Sequence, residues 1–154
     1  MNLLIKILKI IWTSPNSLIG LVVGVLGLCF GGKAQLRQGC IEFYGGLVNL
    51  ILSNIPIGGS TAAMTLGHTI LGQNQYDLDR CREHEQVHVR QYERWGPFFL
   101  FAYLGWSAVL WMQKKDSYFD NPFEVEAYTI ADPRTHSAPP IDPDESSQEI
   151  EPND

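Results

Sequence analysis

The stretch Arg82–Gly96, "REHEQVHVRQYERWG", decides how the rest of the chain is read. It sets His84 and His88 four residues apart, with Glu85 directly after the first histidine. A helix turns by about 100° per residue, so positions four apart lie about 40° from one another on adjacent turns and both imidazoles face one point. Glu85 falls on the same side, about 60° beyond His88. This is the H-E-x-x-H arrangement, in which two neutral imidazoles bind zinc while the glutamate, too far round to ligate, holds and deprotonates a water. The opposing reading is a solvated helix face on which His and Glu alternate by chance.

Working outward, the flanks support a helix. "NQYDLD" (Asn74–Asp79) supplies Asn and Asp candidates for an N-cap, and Gly96-Pro97 must end the helix. Beyond it, "PFFLFAYLGWSAVLWM" (Pro97–Met112) reads as a strongly apolar second helix. "NPFEVEAYTIAD" (Asn121–Asp132) reads as a third, opened by Asn121 as cap and Pro122 in the first turn. Upstream, "CIEFYGG", "LVNLILSN" and "AAMTLGHTILGQ" are short, apolar or β-branched, and separated by turn residues. They predict a small antiparallel sheet, with "LVNLILSN" also compatible with a helix.

A catalytic zinc needs a third protein ligand and an open position. The candidates are Glu124 and Glu126, which stand about 200° apart on a helix, so only one can face the metal. Glu124 has a competing local role as the N3 residue of a capping box closed on Asn121. With H-E-x-x-H upstream, Glu124 is the favoured ligand and Glu126 the alternative. Here the sequence resembles the glutamate zincins, metallopeptidases whose second helix carries a ligand Glu, an Ala three residues later and an Asp four later. "EVEAY" matches at Glu124 and Ala127, and carries Tyr128 where that Asp would stand. The resemblance runs from about Asp77 to Asp132. "HEQVHVRQYERWGPFF" and "DNPFEVEAY" are also similar to a family of small bacterial proteins with this pairing, a likeness that names no substrate.

Three further residues are candidates for the site. Cys81 precedes His84 by three and His88 by seven, on the same helix face, although a buried thiol is the commoner fate. Tyr92 follows His88 by one turn and is placed to donate to a tetrahedral intermediate or simply to pack. His68, in "TLGHTILG", is read as pointing from the last strand towards the metal cleft or as a structural residue.

Charge and length bound the partners. The chain has 154 residues, enough for one modest domain, with 17 acids against 11 Lys and Arg. Six of those acids lie between Asp142 and Asp154, so the remaining 11 balance the 11 bases. A neutral body has no basic stripe, and nucleic acid is not an expected partner. Three cysteines at no repeating spacing do not form a disulfide framework.

At the N-terminus, "MNLLIKILKIIW" precedes a break at "TSPNS", and "LIGLVVGVLGLCF" (Leu18–Phe30) follows without a charge. Its 13 residues fall short of the roughly 17 to 25 that span a bilayer, while Gly20, Gly24 and Gly27 suit close helix packing. Residues 1–32 are therefore expected to form an apolar anchor or a helical hairpin that contacts a membrane. Residues 33–132 are expected to form the metal-binding domain and 133–154 a disordered acidic tail.

The expectation is an α+β fold, a small antiparallel sheet packed on a zincin-like helix and a following Glu-bearing helix, with an apolar N-terminal helical segment. The expected chemistry is peptide hydrolysis with Zn2+ held by His84, His88 and Glu124 and with Glu85 as general base. An edge strand around Thr65–Leu71 would align a peptide or protein substrate. A spanning Pro97–Met112 helix would part His84 from Glu124, so this helix is expected to pack on the metal helix or lie in the membrane plane. The protein is expected at a membrane, otherwise in the cytoplasm. The rival is a non-catalytic metal-binding or membrane-associated scaffold.

Overall fold

A computed structural model describes residues 3–55 and 61–135; the expected tail lies outside the described residues beyond Thr135, as does His136. The fold is α+β. In chain order it runs α1 (Leu3–Cys29), β1 (Lys33–Arg37), β2 (Cys40–Tyr44), α2 (Gly46–Ser53), β3 (Ala63–Leu66) and β4 (Thr69–Gly72). Then come α3 (Gln75–Trp95), a 3-10 turn (Gly96–Phe98), α4 (Phe99–Met112) and α5 (Pro122–Ile130).

Of the two forms expected for the N-terminal segment the hairpin is absent: α1 is one continuous apolar helix with Pro15 inside it. Proline removes the N–H that would bond to the carbonyl four residues back. That carbonyl, on Ile11, instead accepts the Ser14 hydroxyl at 2.7 Å, so the helix continues through "TSPNS".

The sheet is mixed, in the order β1-β2-β4-β3, which corrects the purely antiparallel expectation. β1 with β2 and β3 with β4 are antiparallel hairpins, whereas β2 and β4 run parallel, Ile41 opposite Thr69 and Phe43 opposite Leu71. The cause is "LVNLILSN", which is helical: it buries Val48 and Leu52, four apart, and carries the chain over the sheet before the second hairpin. That hairpin turns at Gly67, whose φ of +65° suits glycine.

Successive strand residues point to opposite faces, and each face has its own cover. On one, Phe43, Leu66 and Leu71 pack with Val48 and Leu52 of α2 and with α1. On the other, Cys40 and Ile70 pack with Leu78 and Val89 of α3. The buried Glu42 of β2 receives Arg82 of α3 at 2.9 and 3.0 Å, an ion pair that sets α3 across the sheet.

Helix α1 has inverted polarity. Its buried residues are Thr13, Asn16, Gly20, Gly24 and Gly27, and a Cβ added at Gly24 would collide with the Phe43 ring. Its large side chains face outward, with Leu3 70% and Ile11 62% exposed. Leu3–Cys29 and the helical run Gln75–Met112 are long and apolar enough to cross a membrane.

Candidate metal centre

Three elements converge on the site. Helix α3 starts where Asn74 accepts the Asp77 amide at 2.9 Å, and its buried face carries His84, Glu85, His88 and Gln91. Helix α5 starts where Asn121 accepts the Phe123 amide, with Pro122 in the first turn. Asn121 is itself fully buried, its amide donating to the Tyr103 carbonyl and the Ser107 hydroxyl of α4. That clamp fixes α5 against α4 and delivers Glu124 to α3. The capping-box role of Glu124 is not what its carboxylate shows, because both oxygens turn to the histidines and Tyr103.

His84 Nε2 lies 3.3 Å from Glu124 Oε2, His88 Nε2 lies 3.4 Å from Glu124 Oε1, and the two Nε2 atoms are 3.3 Å apart. All three side chains are buried, and their ligand atoms fall within 4.8 Å of one another. Bonds of about 2.0 to 2.1 Å at tetrahedral angles separate two ligand atoms by about 3.3 to 3.4 Å, so the spacing fits a zinc-sized ion.

The tautomers follow from the other ring nitrogens. His84 Nδ1 faces the Ala131 carbonyl at 3.1 Å, and a carbonyl only accepts, so Nδ1 is the donor. His88 Nδ1 lies 2.8 Å from Gln91 Oε1. Gln91 is held in that sense because its Nε2 donates to the Phe123 carbonyl and to Glu126, both at 2.9 Å. Each Nδ1 therefore carries a proton, which leaves both Nε2 atoms directed at the carboxylate, free to take a proton or a metal. Such a cluster demands positive charge at its centre. Among the described residues, Glu124 Oε2 is a buried oxygen without a hydrogen-bond partner. Its other oxygen accepts the Tyr103 hydroxyl at 2.7 Å.

The electrostatics say the same. Burial opposes charge on both partners, but bonding to the histidines and Tyr103 holds the Glu124 carboxyl well below the usual carboxylate range. His88 is opposed by burial yet raised to about 9 by its hydrogen bond to Glu124 and by that carboxylate's charge. The site favours a cation, whether a proton or a metal.

A cavity of about 270 Å³ opens beside the cluster, between β3, α3, α4 and the start of α5. Glu85 lines it, 4% exposed, and its Oε2 accepts the Thr65 hydroxyl of β3 at 2.7 Å. Glu85 belongs to none of the three ligating pairs, as its position on the helix requires.

The remaining candidate residues fall elsewhere. Glu126 is turned to Gln91 and Arg94, away from the cluster, and supports it only through Gln91. Cys81 is buried in the cavity wall, outside the ligand group, and burial pushes its thiol up to about 12. Tyr92 is buried with its ring 4.3 Å from that of Phe99, a packing residue at the cavity floor. His68 takes the structural role rather than the cleft one, and sits in the β3–β4 turn instead of on the strand, between the Thr13 hydroxyl at 2.8 Å and Glu93 at 3.3 Å, where it ties α1 to α3. The edge-strand expectation is also narrowed, because β4 is paired on both sides and only β3 of that hairpin is an edge.

Sequence reasoning missed Gln91, Tyr103, Thr65 and the Ala131 carbonyl. Gln91 carried a signal, since it follows His88 by three and His84 by seven and so shares their face. The Tyr128 ring stands edge-on to His84 at 4.6 Å, and the Ala131 carbonyl lies 3.1 Å from His84 Nδ1. No family model, curated protein or solved structure matches the chain.

Proposed function

We propose that this protein is a zinc-dependent metallopeptidase held at a membrane by α1. One observation carries the reading: two Nδ1-protonated histidines and both oxygens of a buried Glu124 converge at zinc spacing beside a cavity that also holds Glu85. Two imidazoles and one carboxylate with an open side form a donor set typical of hydrolytic zinc. When bound, the metal would polarise a scissile carbonyl and acidify water.

The chain's own residues supply the rest. Glu85 accepts the proton lost by the attacking water and returns it to the leaving amine, and Thr65 holds its carboxylate in the cavity. Thr65 belongs to β3, whose outer edge carries no strand among the described residues, so an extended peptide can pair there and run past Glu85. Tyr103 steadies the Glu124 carboxylate, which with His84 and His88 would hold the metal.

The test begins with metal content by elemental analysis of wild type, His84→Ala, Glu124→Ala and Glu126→Ala purified in parallel. About one zinc per chain, lost in the first two variants and kept in Glu126→Ala, supports the site. Cleavage of a fluorogenic peptide library, abolished by Glu85→Gln without loss of zinc, supports the chemistry. The scaffold reading is favoured by the amount of outward apolar surface on α1 and α4, and it requires that Glu85→Gln change nothing.

A further inference from the structure

Apart from the metal centre, the largest feature awaiting an explanation is apolar surface. From Leu3 to Trp12, α1 is exposed on every side except at Lys9, which reaches Glu93 at 2.6 Å. A helix apolar all round belongs inside something apolar. A second copy of the chain would cover one side of these three turns, whereas hydrocarbon covers all of them, and Lys6 can extend its ammonium to the headgroups.

Further along, Thr13–Gly27 turn their small face to the sheet while Leu18, Ile19 and Val22 stay outward, 50 to 59% exposed. If α1 crossed a bilayer, the sheet packed on it would enter hydrocarbon with the exposed Lys33, Arg37 and Glu83. The helix therefore lies along the membrane surface, with the domain on one side.

The Trp12 end of the all-round apolar stretch meets the segment that leads into the cavity-lining helix α4. The Trp12 ring lies against Gly96, and Asn16 donates to the Gly96 carbonyl at 3.4 Å, so α1 meets the chain where α4 begins. Leu100, Leu104 and Trp111 fall within about 40° of one another on α4. Leu104 is 51% and Trp111 74% exposed, and Leu100 and Leu104 line the cavity. Phe119, 47% exposed, and Arg134 also line the cavity, and each stands against the Tyr128 ring. The lip of the cavity and the outward stripe of α4 are one surface.

We infer that the metal cavity opens onto the lipid-covered face, and that the substrate is an apolar peptide segment presented from the membrane surface between Leu104 and Phe119. The inference deepens the peptidase reading and rests on it. An apolar segment leaves lipid for the apolar lip without crossing water, while its backbone pairs with β3.

The experiment places a bimane label on single cysteines introduced into full-length Cys29→Ser protein, since Cys40 and Cys81 are buried. The sites are Leu104→Cys, Phe119→Cys, Leu8→Cys on the all-round apolar stretch, and Glu83→Cys on the exposed face of α3. Each is bound to phosphatidylcholine/phosphatidylglycerol vesicles with or without nitroxide-labelled lipid, and zinc content is read on the same samples. Labels at 104 and 119 are expected to lose about half or more of their fluorescence to the lipid nitroxide, as at position 8, and to resist aqueous iodide, with the reverse at 83. Lipid quenching at 8 but only iodide quenching at both 104 and 119 overturns the inference, as does absence of lipid quenching at 8. Lipid quenching at 104 and 119 in a protein that binds no zinc removes the peptidase reading, and with it the substrate.

Discussion

Helices α1 and α3 cover opposite faces of one small sheet, and both bury polar residues, yet they do so for opposite reasons. The buried polar groups of α1 are short, Thr13 and Asn16 among glycines, and they let the helix lie close to β-strand and turn. Those of α3 are His84, Glu85, His88 and Gln91, long enough to reach a cavity and chemically able to hold a cation or move a proton. Outside, the contrast reverses. Helix α3 shows Glu83, Arg90 and Arg94 to solvent, while α1 shows Leu, Ile and Val. Buried polarity marks chemistry only where the groups converge on an open space, and outward apolarity marks an environment other than water.

The largest expected effect tests the α3 side. Glu85→Gln should lower peptide turnover by about 10³-fold, within the usual range for a lost general base, with zinc content unchanged. Equal turnover would remove Glu85 from the chemistry and leave α3 with a metal-binding face alone.

Next comes the inner face of α1. Gly24→Ala directs a methyl into the Phe43 ring, and overpacking of this kind costs about 2 to 3 kcal/mol. The midpoint of urea unfolding should fall accordingly. An unchanged midpoint would mean that α1 is not seated on the sheet as described, and that its glycines have no packing role.

A smaller change separates ligands from their supports. Gln91→Leu keeps His84, His88 and Glu124 but removes the acceptor that fixes the His88 tautomer and the donor to the Phe123 carbonyl. Zinc affinity should drop by about 10- to 100-fold, as for other groups that orient a ligand, measured by competition with a chromophoric chelator. Glu126→Ala should weaken it less, because Glu126 touches Gln91 and not the cluster.

The two helices also differ in how far the sequence disclosed them. "HEQVH" and "NPFEVEAY" are short-range patterns on helices with their own caps, so the sides that carry His84, His88 and Glu124 towards one another follow from 3.6-residue geometry. What completes the site is long-range or lacks a side-chain signature. Tyr103 reaches Glu124 only because Asn121 pins α5 to α4, and the Ala131 carbonyl is backbone, which no residue type announces. The parallel pairing of β2 and β4 hangs on whether "LVNLILSN" is strand or helix, and eight apolar-rich residues between Gly46 and Ile55-Pro56 fit either. The continuity of α1 hangs on one hydroxyl, Ser14, answering the carbonyl that Pro15 leaves open.

The smallest expected effect lies one residue from Gly24 and tests the outer face. Val25 is 47% exposed, so Val25→Ala should change stability in water by no more than about 0.5 kcal/mol. In vesicles the same change removes two methyl carbons from a side chain about half turned to lipid. At ~0.8 kcal/mol per fully buried methylene, the partition coefficient should fall by about fourfold, read by sedimentation with liposomes. Neighbouring positions then answer to different surroundings: Gly24 to the sheet in every medium, Val25 only when a bilayer is present. If Val25→Ala left vesicle binding unchanged while Leu8→Ala reduced it, lipid contact would end near Trp12. The outer face of Leu18–Leu28 would then belong to another covering surface.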